Sequence, residues 1–406
     1  GEEVIGATVT ATHQPSGTVY RAVTNMDGRF SIQGMRPGGP YKVEVSYIGY
    51  QSKTFKDVSL NLGESQNLSC SLQEDARELQ EVVVSGKAGL NGTKTGAAQS
   101  INAQQIAEMP SISHSIADIA RMNAQVSTNG QSGAMSFAGT NNRYNSFQID
   151  GVMNNDVFGL TQNGSNGGQA GSQPVSMETI DQIQINVAPF DVRQGGFTGG
   201  AINAVTKSGT NVFHGSAYFD GNNESLVGRH YKMQDGTMSN PYDKEKETRF
   251  GFTLGGPIIK NKLFFFVNYE KEKTPGEVIK YRAREDGEEA KGMVSRTLKS
   301  DMEKVYNHLK DKYGYDAGSY TSFPADEENT KILARIDWNI TDRHRLSLRY
   351  NNTKNTAWNA PNGNSSDTGY RLNNTYRVGT QSMAFANSMY SMDNKVQSWA
   401  TDLNSR

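Results

Sequence analysis

The sequence predicts a mainly β protein: a small β-sandwich, then a mixed α/β unit, then the first strands of a large antiparallel transmembrane β-barrel. Three observations carry that expectation. Short segments near the front alternate apolar and polar residues and are separated by turn signals such as Asp27-Gly28. Helical spacing appears in the middle of the chain, at Ile116, Ile119 and Ala120. From Val212 onward the alternating segments lengthen, with aromatics on one face and full charges on the other.

The elements follow in order. Ala7, Val9 and Ala11 alternate with threonines. Thr18 to Thr24 and Arg29 to Gln33 are expected as a hairpin about Asn25-Met26-Asp27-Gly28, and Tyr41 to Tyr50 as a strand after Pro37-Gly38-Gly39-Pro40. Together residues 1–73 make the sandwich. Residues 74–98 read as a linker, charged at QEDAREL, apolar at EVVVSG and glycine-rich after it. Residues 99–211 form the α/β unit. Its helix follows Pro110 and a serine cluster. Phe147 to Val152 is a strand entering a turn. Gly159 to Gln173 is a flexible loop, and Ile183, Ile185 and Val187 alternate as a strand. Gly199-Gly200 opens a last strand that ends in Lys207-Ser208-Gly209-Thr210.

Residues 212–406 hold six expected strands: 213–220, 246–256, 262–273, 330–340, 344–358 and 395–406. Phe250, Phe252 and Leu254 face away from Arg249 and Thr253. Ile332, Ala334, Ile336, Trp338 and Ile340 face away from Arg335, Asp337 and Asn339. Leu346, Leu348 and Tyr350 face away from Arg345, Ser347 and Arg349. A water-soluble sandwich also alternates, but a wall between lipid and lumen explains charges set against aromatics better. Short turns at Pro257 to Asn261 and Thr341-Asp342 contrast with long insertions at Thr274 to Asn329 and Asn355 to Asn394. The first insertion carries an expected helix with a Ser300–Glu303 capping box and a Met302, Val305, Leu309 stripe before Gly314.

Composition excludes several classes. Lysine plus arginine number 41 and aspartate plus glutamate 42, a net charge of −1, which argues against a dedicated nucleic-acid binder. No apolar run approaches the roughly 18 residues of a membrane helix. The single cysteine, Cys70, permits no internal disulfide, and its alternating segment suggests a small buried apolar role. His13, His114, His214, His230, His308 and His344 lack metal-ligand spacing. No phosphate loop, dinucleotide fingerprint or nucleophile elbow is present. The carboxylate pairs Asp326/Glu328 and Glu288-Glu289 lie in loop-like charge runs. No enzyme, cofactor or metal is expected.

Several segments together resemble a known family. GATVTAT and Thr24 to Tyr50 are similar to a carboxypeptidase-regulatory-like, transthyretin-like domain whose usual opening strand is missing. ELQEVVVSG (Glu78 to Gly86) resembles the TonB box. IAEMPSISHSIADIARM, FQIDGV and ETIDQIQINVAPFDVRQGGFTGGAINAVTKSGTN resemble a plug domain, and Leu254 to Glu270 resembles an early barrel hairpin of the Oar-like subgroup. On these segments the chain resembles a TonB-dependent outer-membrane receptor of Gram-negative bacteria, with its N-terminal domain in the periplasm. The resemblance implies a plugged barrel of 22 strands, more than the sequence supplies, so a longer parent protein is expected.

The resemblance also implies roles. An external substrate would bind and pass the plug, driven by the TonB protein; outer-membrane lipid is the other partner, and a surface lipoprotein is a further candidate. A surface adhesion or structural barrel, and a TonB-linked export component, stand as alternatives. Glu81, Val82, Val83, Val84 and Ser85 are the candidate TonB contacts; the competing reading makes them the last strand of the small domain. Asp150 and Gly151 form a plug turn facing the wall or the ligand. Arg193 is weighed as a partner of a barrel carboxylate against a solvated surface residue. Gly199, Gly200 and Lys207 are structural plug residues. The Gly159 to Gln173 loop is a candidate substrate-contacting apex or a plain linker.

Overall fold

A computed structural model describes residues 2–74, 82–85, 97–109, 114–128, 134–156, 161, 164–167, 173–187, 197–227, 232, 236, 238, 246–277, 281–321, 324–359 and 383–405. The small domain holds one five-stranded sheet in the order β2-β1-β3-β4-β5. Its strands are β1 (Thr8–His13), β2 (Thr18–Val23), β3 (Gly38–Ser46), β4 (Lys53–Leu60) and β5 (Val82–Ser85). Period-two alternation turns Val9, Ala11, Tyr41, Val43 and Val45 into one core, and each large apolar side chain buried there contributes about 1.5–3 kcal/mol. The core's remaining cover comes from irregular chain carrying Phe30, Ile32, Met35, Leu68 and Leu72.

Two local expectations fail here. Arg29 to Gln33 forms no strand. Asn25 Oδ1 accepts from the N–H groups of both Asp27 (3.1 Å) and Arg29 (2.9 Å), and Gly28 sits at φ +64°. The turn thus closes on itself, and the residues after it pack as cover rather than pairing. Cys70 is exposed, not buried. Its segment belongs to no strand, and Leu68 and Leu72 are the residues that turn inward.

The middle domain has a five-stranded sheet in the order β10-β9-β12-β11-β6. It comprises β6 (Ala97–Asn102), α1 (Ala103–Glu108), α2 (Ile116–Ala120), the hairpin β7 (Val126–Thr128) with β8 (Met135–Phe137), β9 (Ser146–Ile149), β10 (Val152–Met153), β11 (Ile180–Val187) and β12 (Gly200–Thr206). Asn102 and Gln105 form a capping box on α1, and Ser115 of the serine cluster caps α2. Ile183, Ile185 and Ile202 are 0–1% exposed at the centre of the core. The intervening Gln182, Gln184 and Asn186 are buried as well, because β11 is covered on both faces. Gln182 satisfies its amide by accepting from Leu62 N (3.0 Å) and donating to Leu60 O (3.3 Å), which seats the small domain against β11.

The third sheet is an antiparallel meander of six long strands: β13 (His214–Asn223), β14 (Lys246–Ile259), β15 (Leu263–Glu277), β18 (Pro324–Asn339), β19 (His344–Asn359) and β20 (Tyr390–Ser405). A single turn, α3 (Glu224–Val227), follows β13. The loop after β15 holds β16 (Arg282–Arg284), β17 (Val294–Leu298) and α4 (Lys299–Tyr313). All six expected strands are present, several of them longer. β15 and β18 run on into the expected loop because cross-strand pairs such as Lys273–Asp326 (2.6 Å) and Lys271–Glu328 (3.4 Å) extend the ladder. At up to 16 residues the strands exceed the roughly 9–11 needed to cross a bilayer.

The sheet is inverted relative to a water-soluble one. Phe250, Phe252, Leu254, Ile336, Trp338, Leu348 and Trp399 are exposed by 40–78%, while Arg249, Asn268, Glu270 and Lys331 on the opposite face are buried. Apolar outside and charge inside is the pattern of a barrel wall. Among the described residues no helix is long and apolar enough to cross a membrane, which says nothing about strands. The capping expectation for α4 fails: its N-cap is Leu298, with no side-chain bond. β17 runs straight into the helix, so Ser300 already lies within the first turn. Of the expected stripe only Met302 is buried, Leu309 is half-buried and Val305 is exposed. Gly314 closes the helix in the left-handed region at φ +63°.

His13 offers a check on the small domain. Its ring packs against Tyr41, with centroids 4.9 Å apart, and its Nδ1 lies 2.7 Å from Ser16 Oγ. Burial, helped by the charge of Arg36, lowers its pKa to about 4. The unfolded chain therefore binds a proton near pH 6.5 that the folded domain refuses. Stability is full above that pH and falls as pH drops toward 4, by about 3 kcal/mol. Thermal unfolding across pH 7 to 4 should show this slope, and His13→Gln should flatten it.

Candidate functional site between the middle domain and the long sheet

Asp150 and Gly151 are the two residues of the turn joining β9 to β10, at φ +49° and +81°. Two successive positive φ angles match a type I′ turn, and Asp-Gly is among its favoured pairs. The tight turn pushes the Asp150 carboxylate off the domain's surface. There Oδ1 accepts from Thr206 N (2.8 Å) and Oδ2 from Thr206 Oγ1 (2.6 Å).

Two arginines of the long sheet converge on the same carboxylate. Arg349 Nη1 pairs with Oδ2, and Arg335 Nη1 lies 3.6 Å from Oδ1. Arg335 also donates to Thr206 O and Thr206 Oγ1, each at 3.0 Å, and forks onto Asp337 at 2.8 and 2.9 Å. Arg349 donates to Asp150 O at 3.2 Å. All three charged side chains are only 10–11% exposed. Arg335 and Arg349 are direct partners in the β18–β19 ladder. Like charges placed opposite each other repel, and more so when desolvated. Asp150 supplies the counter-charge from the other domain, so wall and middle domain complete one another electrostatically.

A second tether lies on the neighbouring strands. Glu270 and Lys331, ladder partners of β15 and β18, pair at 2.7 Å with side chains 6% exposed. Ser176 of the middle domain donates to Glu270 Oε2 at 2.6 Å, and Tyr218 OH bonds to the same oxygen. Tyr218 reaches it across Gly251, where any Cβ would collide with the phenol oxygen. Asn351 and Thr353 both donate to Pro174 O, at 3.1 and 3.0 Å. Phe266 and Leu333 of the wall join the middle domain's hydrophobic core.

The other expected residues fall elsewhere. Gly199 and Gly200 open β12 against Asn145 and the Phe137 ring, which a Cβ at either position would strike. Lys207 donates its backbone N–H to Thr179 O at 2.7 Å. Its ammonium, with Arg36 and Arg335, pulls against the burial that raises the Asp181 carboxyl above its ordinary range. Val82–Ser85 form β5, paired in parallel with Lys53–Lys56, while Glu81 and Arg193 lie outside the described residues. So does most of the Gly159 to Gln173 loop. Sequence reading missed Arg335, Arg349, Glu270, Lys331, Thr206 and Ser176 as site residues. The charged face of the alternating strands was the available signal for the wall residues. Beneath the clamp, a cavity of about 500 Å³ between the three domains is lined by Arg36, Asp150, Arg335, Asp337, Arg345 and Arg349, among others. Among the described residues no cluster of metal-type side chains occurs.

Removing Asp150 should leave two buried arginines opposed. Asp150→Ala is expected to destabilise the docked middle domain by about 3–5 kcal/mol, read as a lower denaturation midpoint and faster proteolysis in detergent. Adding Arg349→Ala should recover part of that loss, a non-additivity expected only of groups in contact.

Comparison with known proteins accords with the geometry. Residues 1–73 match the carboxypeptidase regulatory-like domain, residues 92–202 the TonB-dependent receptor plug domain, and residues 205–280 an outer membrane beta barrel domain. Among curated proteins, the TonB-dependent transporter Oar of Myxococcus xanthus is 28% identical over 228 residues, covering 54% of this chain and 19% of that protein. Among solved structures, the outer membrane transporter YddB of Escherichia coli gives a TM-score of 0.48 at 14% identity, covering 76% of this chain and 37% of the other. The ferric enterobactin receptor PfeA of Pseudomonas aeruginosa gives 0.42 at 17%, covering 75% and 38%. The chain thus spans about a fifth of the curated relative's length and under two-fifths of these structures. The proteins it resembles are transporters and receptors rather than enzymes. Regulatory-like domain, plug and outward-apolar wall follow one another in order, each matched by its own family model, and this is the succession of the TonB-dependent outer-membrane receptors, with the Oar transporter as a similar curated protein.

Proposed function

We propose that the chain serves a transporter that binds an external substrate and moves it through a plugged barrel with energy delivered by TonB, with no catalytic role. It divides for this purpose into a periplasmic domain (1–73), a coupling stretch (74–98), the plug (99–211) and the wall (212–406). The observation that carries the reading is the clamp at Asp150. A plug that only sealed a pore would be held best by apolar packing. Here part of the hold is a set of charge-assisted hydrogen bonds at one turn wedged between Arg335 and Arg349. Hydrogen bonds weaken steeply with distance and angle, so such a contact is firm at rest and breaks after a small displacement that lets water in.

Energy must come from outside this membrane, and the coupling stretch is the candidate route. Glu81, Val82, Val83, Val84 and Ser85 are the proposed TonB contacts. The valine run favours extended backbone, and the structure gives Val82–Ser85 strand geometry. An extended segment can join a partner's sheet, where main-chain hydrogen bonds act in parallel under load. A surface lipoprotein is a further proposed partner.

Deleting Glu81–Ser85 should abolish energised uptake of a labelled substrate by cells while surface binding of that substrate persists. Undiminished uptake in the deletion strain refutes the coupling role.

A further inference from the structure

The sheet of the small domain has two edges with different neighbours. The β2 edge meets the wall. Val19 O accepts from Arg345 Nη2 at 2.8 Å, Thr18 Oγ1 accepts from Asn339 Nδ2 at 3.0 Å, and the Arg345 guanidinium lies 3.8 Å over the Tyr20 ring. β5 is the opposite edge in the order β2-β1-β3-β4-β5. At ~4.8 Å per strand that places it roughly 19 Å from the wall contact. It pairs with Lys53–Lys56 at the start of β4, whereas Leu60 at the end of β4 meets the plug through Gln182. The register Lys53↔Val82 to Lys56↔Ser85 runs without a bulge. A strand paired on one side leaves its other side's N–H and C=O groups open to a further strand, and no described strand takes that side of β5.

We infer that the small domain presents Val82–Ser85 as a ready-made edge strand, and that TonB adds its own strand to the outer side of β5 while β5 stays on β4. The inference rests on the coupling role proposed above. Ordering a free peptide is a main cost of strand addition; here the ordering is done when the domain folds. The geometry also gives the docked strand a mechanical path. A pull on β5 passes through the β4 ladder into a domain fixed to the wall at Arg345 and Asn339, and to the plug at Gln182.

Lys56 and Ser85 are register partners, and Lys56 is exposed. In a Cys70→Ser background, Lys56→Cys with Ser85→Cys should cross-link under mild oxidation and lock β5 to β4. The probe is the purified periplasmic domain of TonB from the same organism. It is titrated against the full chain, locked and reduced, and against a synthetic peptide spanning Glu78 to Gly86. Locked and reduced chains should bind alike, and each about tenfold more tightly than the peptide. Binding lost on oxidation and restored by reductant overturns the inference, because the partner then needs β5 stripped away. Cysteines that stay reactive and never cross-link overturn it too. Absence of binding to peptide and chain alike, in either redox state, instead removes the coupling role on which the inference stands.

Discussion

Two arginines facing each other across a ladder are a liability that the wall cannot resolve with Asp337 alone. Arg335 and Arg349 share a register position on the inner face of β18 and β19, nearly shut off from water. Asp337 and Asp402 of the wall offset part of that charge, and the carboxylate in contact with both arginines belongs to the plug. Asp150 can reach them only because a two-residue turn projects it, and that turn forms because Asp-Gly tolerates two positive φ angles. Local backbone chemistry, plug placement and barrel electrostatics therefore meet at one side chain. The Glu270–Lys331 pair repeats the logic one strand over, with Ser176 as the plug's contribution.

The wall obeys a second constraint. A strand between lipid and lumen must place opposite chemistries on alternate residues, and the exposed Phe252, Ile336 and Trp399 against the buried Arg249 and Lys331 meet that requirement. Beyond the membrane band the demand lapses, and the strands continue on charge pairing instead, as at Lys273–Asp326. The outward face suits lipid, in keeping with the outer membrane beta barrel domain that the chain matches, and the small domain lies against the short-turn side through Arg21–Asp342 and Asn211 N–Pro15 O.

Much of this was legible in the sequence. The six wall strands were visible because alternation between charge and aromatics is a local signal. So was the Asp-Gly turn. The clamp was not, because it depends on register. A two-residue turn at Thr341-Asp342 would set Arg335 opposite Leu348. The actual loop, with Ile340 N and Thr341 N both bonded to His344 O, is longer and brings Arg349 into that place. A shift of one residue changes which face every partner occupies. Likewise EVVVS reads as a strand, but its parallel partner Lys53–Lys56 is far off in sequence, where no local pattern points. Cys70 and Ser300 failed for the opposite reason: the local pattern was clear and the surrounding chain overrode it.

Tyr218 touches Glu270 only by lying across the bare backbone of Gly251. Three adjacent strands are thereby stitched by a phenol laid crosswise to their length. Sliding one strand past its neighbour would break that stitch at once, so β13, β14 and β15 resist shear as a unit. A cork drawn along this side of the vessel would meet a stiff rail, with compliance left to whatever lies beyond.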